Sequence, residues 1–250
     1  MIDFTLREAA FLCAIFTLAG AVKGLAGFGF PAVTLGLTAL FRPLPEAMAL
    51  MIVPAMLTNV WQAFAGPALR PLLRRLWSFF LTSTLGAIAG AAVLARADQA
   101  VLGALLGLLL VAGALLALFG RPFGQPTPGQ ERVLSPVMGT ASGVITGLTG
   151  SYLMPAAPYL VALRLSPAEF VQAFGLGVIG ALVALAFGMA GAGLLPAELG
   201  LASVFGVVPG FLGLWIGQKA RAGMPEARFR TVIQIALGLL GCWLVVKALR

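Results

Sequence analysis

The sequence predicts an all-α membrane protein built from two inverted repeats, each a Gly-rich broken helix or helical hairpin followed by three transmembrane helices. Three observations carry the prediction. Sixty per cent of the 250 residues are apolar and ten per cent charged, with a mean hydropathy of +1.04, which lies outside the composition of soluble domains. Six apolar runs reach the length of about 20 residues that a helix needs to cross the hydrocarbon layer. A segment rich in glycine and proline occurs once near the start of each half.

The elements follow in order. The first segment, 8 to 41, contains "AGAVKGLAGFGFPAV" at 19 to 33, where a lysine inside an apolar run precedes three glycines, two phenylalanines and a proline. It is too long for one crossing and is interrupted in the middle. Ordinary spans follow at 47–66, 76–95 and 99–119. "GRPFGQPTPGQER", 120–132, is the one Pro/Gly/polar stretch, and it reads as a linker between a first repeat, 1–119, and a second, 133–250. The second interrupted segment, 133 to 163, leads into spans at 170–190, 199–218 and 229–246. Arg7, the apolar stretch behind it and the small residues at 19 to 21 resemble a signal peptide. The duplication argues against cleavage.

That duplication is visible residue by residue. "KGLAGFGFPAVTLGLTALFRPLPEA", 23–47, has its counterpart in "TGLTGSYLMPAAPYLVALRLSPAEF", 146–170. Gly24 and Gly27 align with Gly147 and Gly150 at a shift of 123, and Arg42 and Pro45 align with Arg164 and Pro167 at a shift of 122.

The positive-inside rule chooses between a kinked crossing and a hairpin for the interrupted segments. If each crosses once, Arg7, Arg70, Arg74, Arg75, Arg121, Arg132, Lys247 and Arg250 face one side. Arg42, Arg96, Arg164, Lys219, Arg221, Arg228 and Arg230 then face the other, and no bias exists. If each doubles back, Arg7, Arg42, Arg96, Lys247 and Arg250 oppose all the rest, five against ten. The hairpin recovers the rule and leaves three full crossings per repeat. The second repeat then enters from the opposite face, which is the inverted-repeat architecture of transporters. Both termini are expected outside and the linker in the cytoplasm. The net charge of +8 belongs to these short loops and to membrane orientation, not to a nucleic-acid surface.

Backbone that leaves the helix at membrane depth must face protein or a wet cavity. Gly27 and Gly29 in the first tip, and Gly147 and Gly150 in the second, allow tight turning and close approach to a ligand. Pro31 and Pro155 stand where the returning arms restart, a position proline suits. Each arm is then expected to offer a helix N-terminus to an anion, with Lys23 as a full positive charge. Thr146, Thr149, Ser151 and Tyr152 supply hydroxyls.

Other readings of these residues are open at this stage. The Gly/Pro motifs are also packing points, and Lys23 could snorkel to an interface. Phe28, Phe30 and Tyr152 also suit core filling. Asn59, Gln62 and Gln172 could line the same cavity or bond between helices. The candidate substrate-binding set is therefore Lys23, Gly24, Gly27, Phe28, Gly29, Phe30, Pro31, Asn59, Gln62, Thr146, Gly147, Thr149, Gly150, Ser151, Tyr152, Pro155 and Gln172.

Several functions are disfavoured. The chain has no histidine, the commonest transition-metal ligand and proton shuttle, so no metal, cofactor or His relay is expected. Cys13 and Cys242 have no motif spacing and read as small buried apolar residues. Asp3, Glu8, Glu46, Asp98, Glu131, Glu169, Glu198 and Glu226 all fall at span ends or in loops, which leaves no mid-span carboxylate relay. Glu46 and Glu169 could couple protons only by folding inward. Trp61, Trp77, Trp215 and Trp243 read as interfacial anchors. An intramembrane hydrolase would need the missing His and carboxylates, so no enzyme is expected.

The two signatures "GLAGFGFP", 24–31, and "GLTGSYLMP", 147–155, in two four-segment halves, resemble the sulfite exporter TauE/SafE family of membrane permeases over nearly the whole chain. The resemblance implies export of sulfite or organosulfonate-type anions across a bacterial cytoplasmic membrane. Its signature residues fall on Gly24, Gly27, Gly29 and Pro31, and on Gly147, Gly150 and Pro155. The interleaved Phe28, Phe30, Ser151, Tyr152 and Leu153 depart from the family's consecutive glycines and leave the cargo open.

The reading is thus a multi-pass exporter of small sulfur anions, working by alternating access around two tips. An anion channel, or a carrier of another small anion, is the alternative. Its partners are the anion and the lipid bilayer, with no nucleic acid and with a homodimer left open.

Overall fold

The computed structural model describes residues 5–120, 123–221 and 226–249, with residues 221 and 226–230 given by backbone alone. Asp3, Arg121 and Arg250 of the sequence argument lie outside the described residues, as do the side chains of Arg221, Glu226, Arg228 and Arg230. The loop-charge comparison therefore stays an expectation. All regular structure among the described residues is helical: α1 (Leu6–Ala26), α2 (Phe30–Thr38), α3 (Leu44–Ala65), α4 (Leu69–Leu94), α5 (Gln99–Phe119), α6 (Pro128–Thr149), α7 (Ala156–Ala162), α8 (Pro167–Gly191), α9 (Ala197–Phe205), α10 (Val207–Arg221) and α11 (Glu226–Ala248).

Among the described residues seven stretches are long and apolar enough to cross a membrane: α1, α3, α4, α5, α8, α9 with α10, and most of α11. The protein is a multi-pass membrane protein. All six expected spans are there, with two differences of detail. The span expected from residue 76 begins at Leu69, and the helix bends at Leu76, whose φ of −107° and ψ of 18° are not helical. The arginines at 70, 74 and 75 hide the first two turns from a hydropathy reading. The span expected at 199–218 is interrupted at Gly206, between α9 and α10.

The chain packs as two compact units that interleave the sequence halves. One holds residues 1–58, 97–120 and 193–250, the other 59–96 and 121–192. In the first unit, Thr5 opens α1 with a reciprocal cap to Glu8. Gly27 ends α1 at φ 83°, and Gly29 opens α2 at φ 98°, left-handed conformations that glycine adopts without a Cβ penalty. The chain then doubles back: Arg42, just beyond α2, donates to Glu8 at the start of α1 at 2.8 Å and to Glu46 at 3.2 Å.

Glycine lets helix pairs in this unit approach backbone to backbone. A Cβ on Gly20 or Gly24 would strike α10 at Gly210, Leu214 and Gln218, and one on Gly213 or Gly217 would strike α1 at Thr17 and Ala21. The matching order of these contacts makes α1 and α10 parallel. On α5 and α11, Gly107 meets Gly241 while Ala114 meets Gly238, so that pair is antiparallel. Pro54 lies inside α3 and has no N–H for the carbonyl of Leu50. The Ser203 hydroxyl takes its place, donating to Leu50 O at 2.7 Å and accepting from Val53 N at 3.1 Å.

The second unit repeats the same devices. Thr127 caps α6 reciprocally with Gln130, and Ser166 caps α8 with Glu169. Gly150 ends α6 at φ 74°, and the chain turns back so that Tyr159 of α7 meets Ser135 near the start of α6, hydroxyl to hydroxyl at 2.5 Å. Gly139, Gly143 and Gly147 of α6 lie in turn on Phe79, Ser83 and Ala87 of α4, again parallel. Glu8, Glu46, Glu131, Glu169 and Glu198 each stand in the first turn of a helix, and Asp98 caps α5. There they complement the helix dipole.

Both cysteines correct the sequence reading. Cys13 and Cys242 are exposed and unpaired with each other. Cys13 lines a cavity between α1 and α9, beside Phe205 and Gly206.

Candidate functional site

Each unit carries one tip. In the first, Lys23 occupies the last turn of α1, is 1% exposed, and donates to Thr58 Oγ1 at 3.2 Å. It turns into the protein and does not snorkel. The Thr58 hydroxyl sends its own proton to Pro54 O at 2.7 Å, so its lone pair is presented to the ammonium. Lys23 has three donors, and among the described residues Thr58 is its one hydrogen-bond partner, with no carboxylate within ion-pair distance.

The break beside it is backbone at work. Gly27 N returns to Lys23 O at 2.7 Å, and Gly29 opens α2 without any side-chain cap. Phe30 is the first residue of α2 and Pro31 the second, one position later than expected. The Phe30 ring is wholly buried and stacks on Phe16 at 6.2 Å. Phe28 between the glycines is half-buried. Gly24 lies one turn before the tip and meets α10: a Cβ there would come within 2.8 Å of Gln218 N and closer still to Leu214 O. It is a packing contact.

The second tip is tied to itself. Gly150 N donates to Thr146 O at 2.7 Å, the same bond that Gly27 makes to Lys23, the residue 123 positions earlier. The single proton of the Thr146 hydroxyl is shared between Ser142 O at 2.7 Å and Ser151 O at 3.2 Å. Thr149 donates to Ile145 O and accepts from Ser151 N at 3.3 Å. These two threonines brace the tip's own backbone. The Ser151 side chain is buried.

Tyr152 is buried under Phe79 and Phe174 and shares a 3.0 Å hydrogen bond with Ser83. Its hydroxyl serves the interior of the unit. Pro155 follows a cis peptide and caps α7. Gly147, expected at the turn, stays helical inside α6 and packs on α4, because a Cβ would stand 2.7 Å from Gly90 Cα.

Of the polar residues on the ordinary spans, Gln172 is fully committed. It donates to Ala63 O at 2.7 Å and Gly66 O at 2.9 Å and accepts from Ala68 N at 2.9 Å, which caps the end of α3. Of the two sequence readings, bonding between helices holds for Gln172. Gln62 is buried with its carbonyl oxygen unpartnered, and Asn59 is buried with a partner. Thr58 and Ser83 went unnamed in the sequence reading, and nothing in the sequence couples residue 23 to 58 or 83 to 152.

Eleven helices and seven candidate spans among the described residues define a multi-pass helical membrane protein, with a lysine turned inward beside a broken helix. The family described as sulfite exporter TauE/SafE matches residues 12–244; the chain belongs to that family, a family of membrane transporters. Comparison with curated proteins and with solved structures returns no match.

Proposed function

We propose that the chain exports a small sulfur oxyanion or sulfonate by alternating access, from a bacterial cytoplasm across the inner membrane, and that Lys23 is the positive charge that receives the anion. One observation carries the reading. An ammonium 1% exposed and held by a single neutral hydroxyl lacks the compensation that buried charges otherwise have. An intramembrane charge without a protein partner marks the path of a charged cargo.

The build of the tip supports the same reading. Gly29 opens α2 with no side chain competing for the first N–H groups, and such groups favour anions. The interior-negative potential supplies about 2.3 kcal/mol per charge per 100 mV to an outward-moving anion, enough to need no acidic relay.

The inverted duplication is part of this proposal. Gly27 and Gly150 end their helices with the same conformation and the same bond. The last helix of each half, α5 and α11, pack antiparallel, while α1 lies on α10 and α6 on α4 in parallel, as an exchange between two halves of opposite orientation requires.

The experiment is binding of sulfite, thiosulfate, sulfate and short-chain sulfonates to the purified protein and to Lys23→Met, followed by flux in vesicles. Saturable binding of one of these, lost at least tenfold in the variant, is expected. Equal binding by both proteins would overturn the role of Lys23, and unsaturable flux with large unitary currents would make the protein a channel.

A further inference from the structure

A second charged place, in the other unit, has no part in this reading. At the N-terminal ends of α4 and α6 a cavity of about 670 Å³ is lined by Arg75, Trp77, Ser78, Glu131, Arg132 and Ser135. Arg75 is anchored there: its Nε and Nη2 donate to the two Glu131 oxygens at 2.7 and 2.8 Å, which leaves Nη1 unused. Arg132 is exposed and makes no ion pair among the described residues. The cavity thus holds two guanidinium groups against one carboxylate, with the Ser78 hydroxyl beside them.

What adjoins the cavity decides what it takes. Trp77 at its rim is 63% exposed, and further along the same stripe of α4 Leu81, Leu85 and Ile88 are 50%, 55% and 53% exposed. In a membrane-spanning helix such as α4, exposed aliphatic residues beyond a charged end face acyl chains, and an exposed tryptophan sits at headgroup level. Positive charge, a hydroxyl, an aromatic rim and apolar walls leading away together fit an amphiphile with an anionic head. A free anion would leave the apolar side unused.

We propose that this cavity is a binding site for the phosphodiester headgroup of an anionic phospholipid, with Arg132 and the free edge of Arg75 on the phosphate oxygens and Trp77 at the glycerol level. Basic pockets between transmembrane helices bind such headgroups. Glu131 is a positioning residue: it holds the Arg75 fork so that its open edge turns into the cavity.

The test titrates the purified full chain in detergent with phosphatidylglycerol and reads retained lipid by native mass spectrometry. Phosphatidylcholine and glycerol phosphate serve as the neutral-head and tail-free probes. Arg132→Gln is expected to weaken phosphatidylglycerol retention about fivefold, the weight of one basic side chain at an anionic surface, while Arg96→Gln, at the opposite end of α4, leaves it unchanged. The paired change Arg75→Gln with Glu131→Gln keeps the net charge and removes the anchored fork, and it is expected to weaken retention as well. Equal losses in Arg132→Gln and Arg96→Gln would reduce the effect to diffuse attraction and overturn the site. Displacement of the lipid by glycerol phosphate would show a free-anion site and overturn the lipid assignment.

Discussion

Replacing Lys23 by methionine is expected to make the protein more stable while it loses its anion. Lys23 is 1% exposed and has one neutral partner at 3.2 Å. Taking an ammonium out of water costs several kcal/mol even after relaxation, and a hydrogen bond from a charged donor returns only about 1.5–3 kcal/mol. Methionine fills a similar space with an adaptable apolar chain. Thr58 is not orphaned, because its proton already goes to Pro54 O. By analogy with buried charges replaced by apolar residues of like volume, a gain of about 1–4 kcal/mol is expected. Reversible unfolding in mixed micelles measures it, with anion binding measured on the same preparation. A Lys23→Met protein that is less stable by more than about 1 kcal/mol would refute the reasoning, since it would mean that the protein itself compensates the charge.

Two further expectations concern packing and caps. Gly24→Ala and Gly147→Ala drive a Cβ against backbone atoms of α10 and α4 and are expected to cost at least the 1–3 kcal/mol of ordinary overpacking. Gly103→Ala, with nothing within 4 Å in the second turn of α5, is expected to gain about 0.5–1 kcal/mol from helix propensity; thermal unfolding in one detergent ranks all three, and equal effects would contradict the close approaches. Gln172→Ala strands Ala63 O, Gly66 O and Ala68 N, and a loss of about 1–3 kcal/mol is expected, with anion affinity unchanged in whatever fraction remains folded.

The sequence carried most of the fold because a membrane simplifies the code: length and hydropathy set the spans, and glycine with proline set the breaks. Its errors have physical causes. The arginines of α4 disguised helix as loop, and α6 is so rich in Ser, Thr and Gly that it falls short of a span by hydropathy while still packing along α4. Cys13 and Cys242 read as buried because apolar residues in a soluble protein turn inward, whereas a helix in lipid presents them outward. At the tips, residue types were legible and commitments were not. The second signature shows that threonines stand at the turn, but whether a hydroxyl faces a cargo or its own chain depends on backbone angles set by Gly150. Gly24 read as a candidate site residue and Gly147 as a turn residue because the helices they pack against are nearly two hundred and about sixty residues away in the sequence.

Lys23 and Thr146 stand 123 positions apart, the shift that aligns the two signatures, and their side chains make different contacts at the two tips. The backbone bond from the following glycine is the same, 2.7 Å in both. What the side chain does then differs: Lys23 reaches away to α3, while Thr146 and Thr149 hold Ser151 by its carbonyl and its N–H. The first tip carries the lysine and is uncapped, while the second has no ionisable amine and is braced. Thr146→Val keeps the shape and removes the single proton that Ser142 O and Ser151 O share, at a cost of about 0.5–1.5 kcal/mol. If the bond closes the tip, local opening becomes easier by that amount, and amide exchange around residues 151 to 153 is expected to rise by about twofold to tenfold with global stability little changed. Unchanged exchange in that stretch would show that Gly150 and the flanking helices hold the tip without the threonine, and the contrast between the two tips would then rest on Lys23 alone.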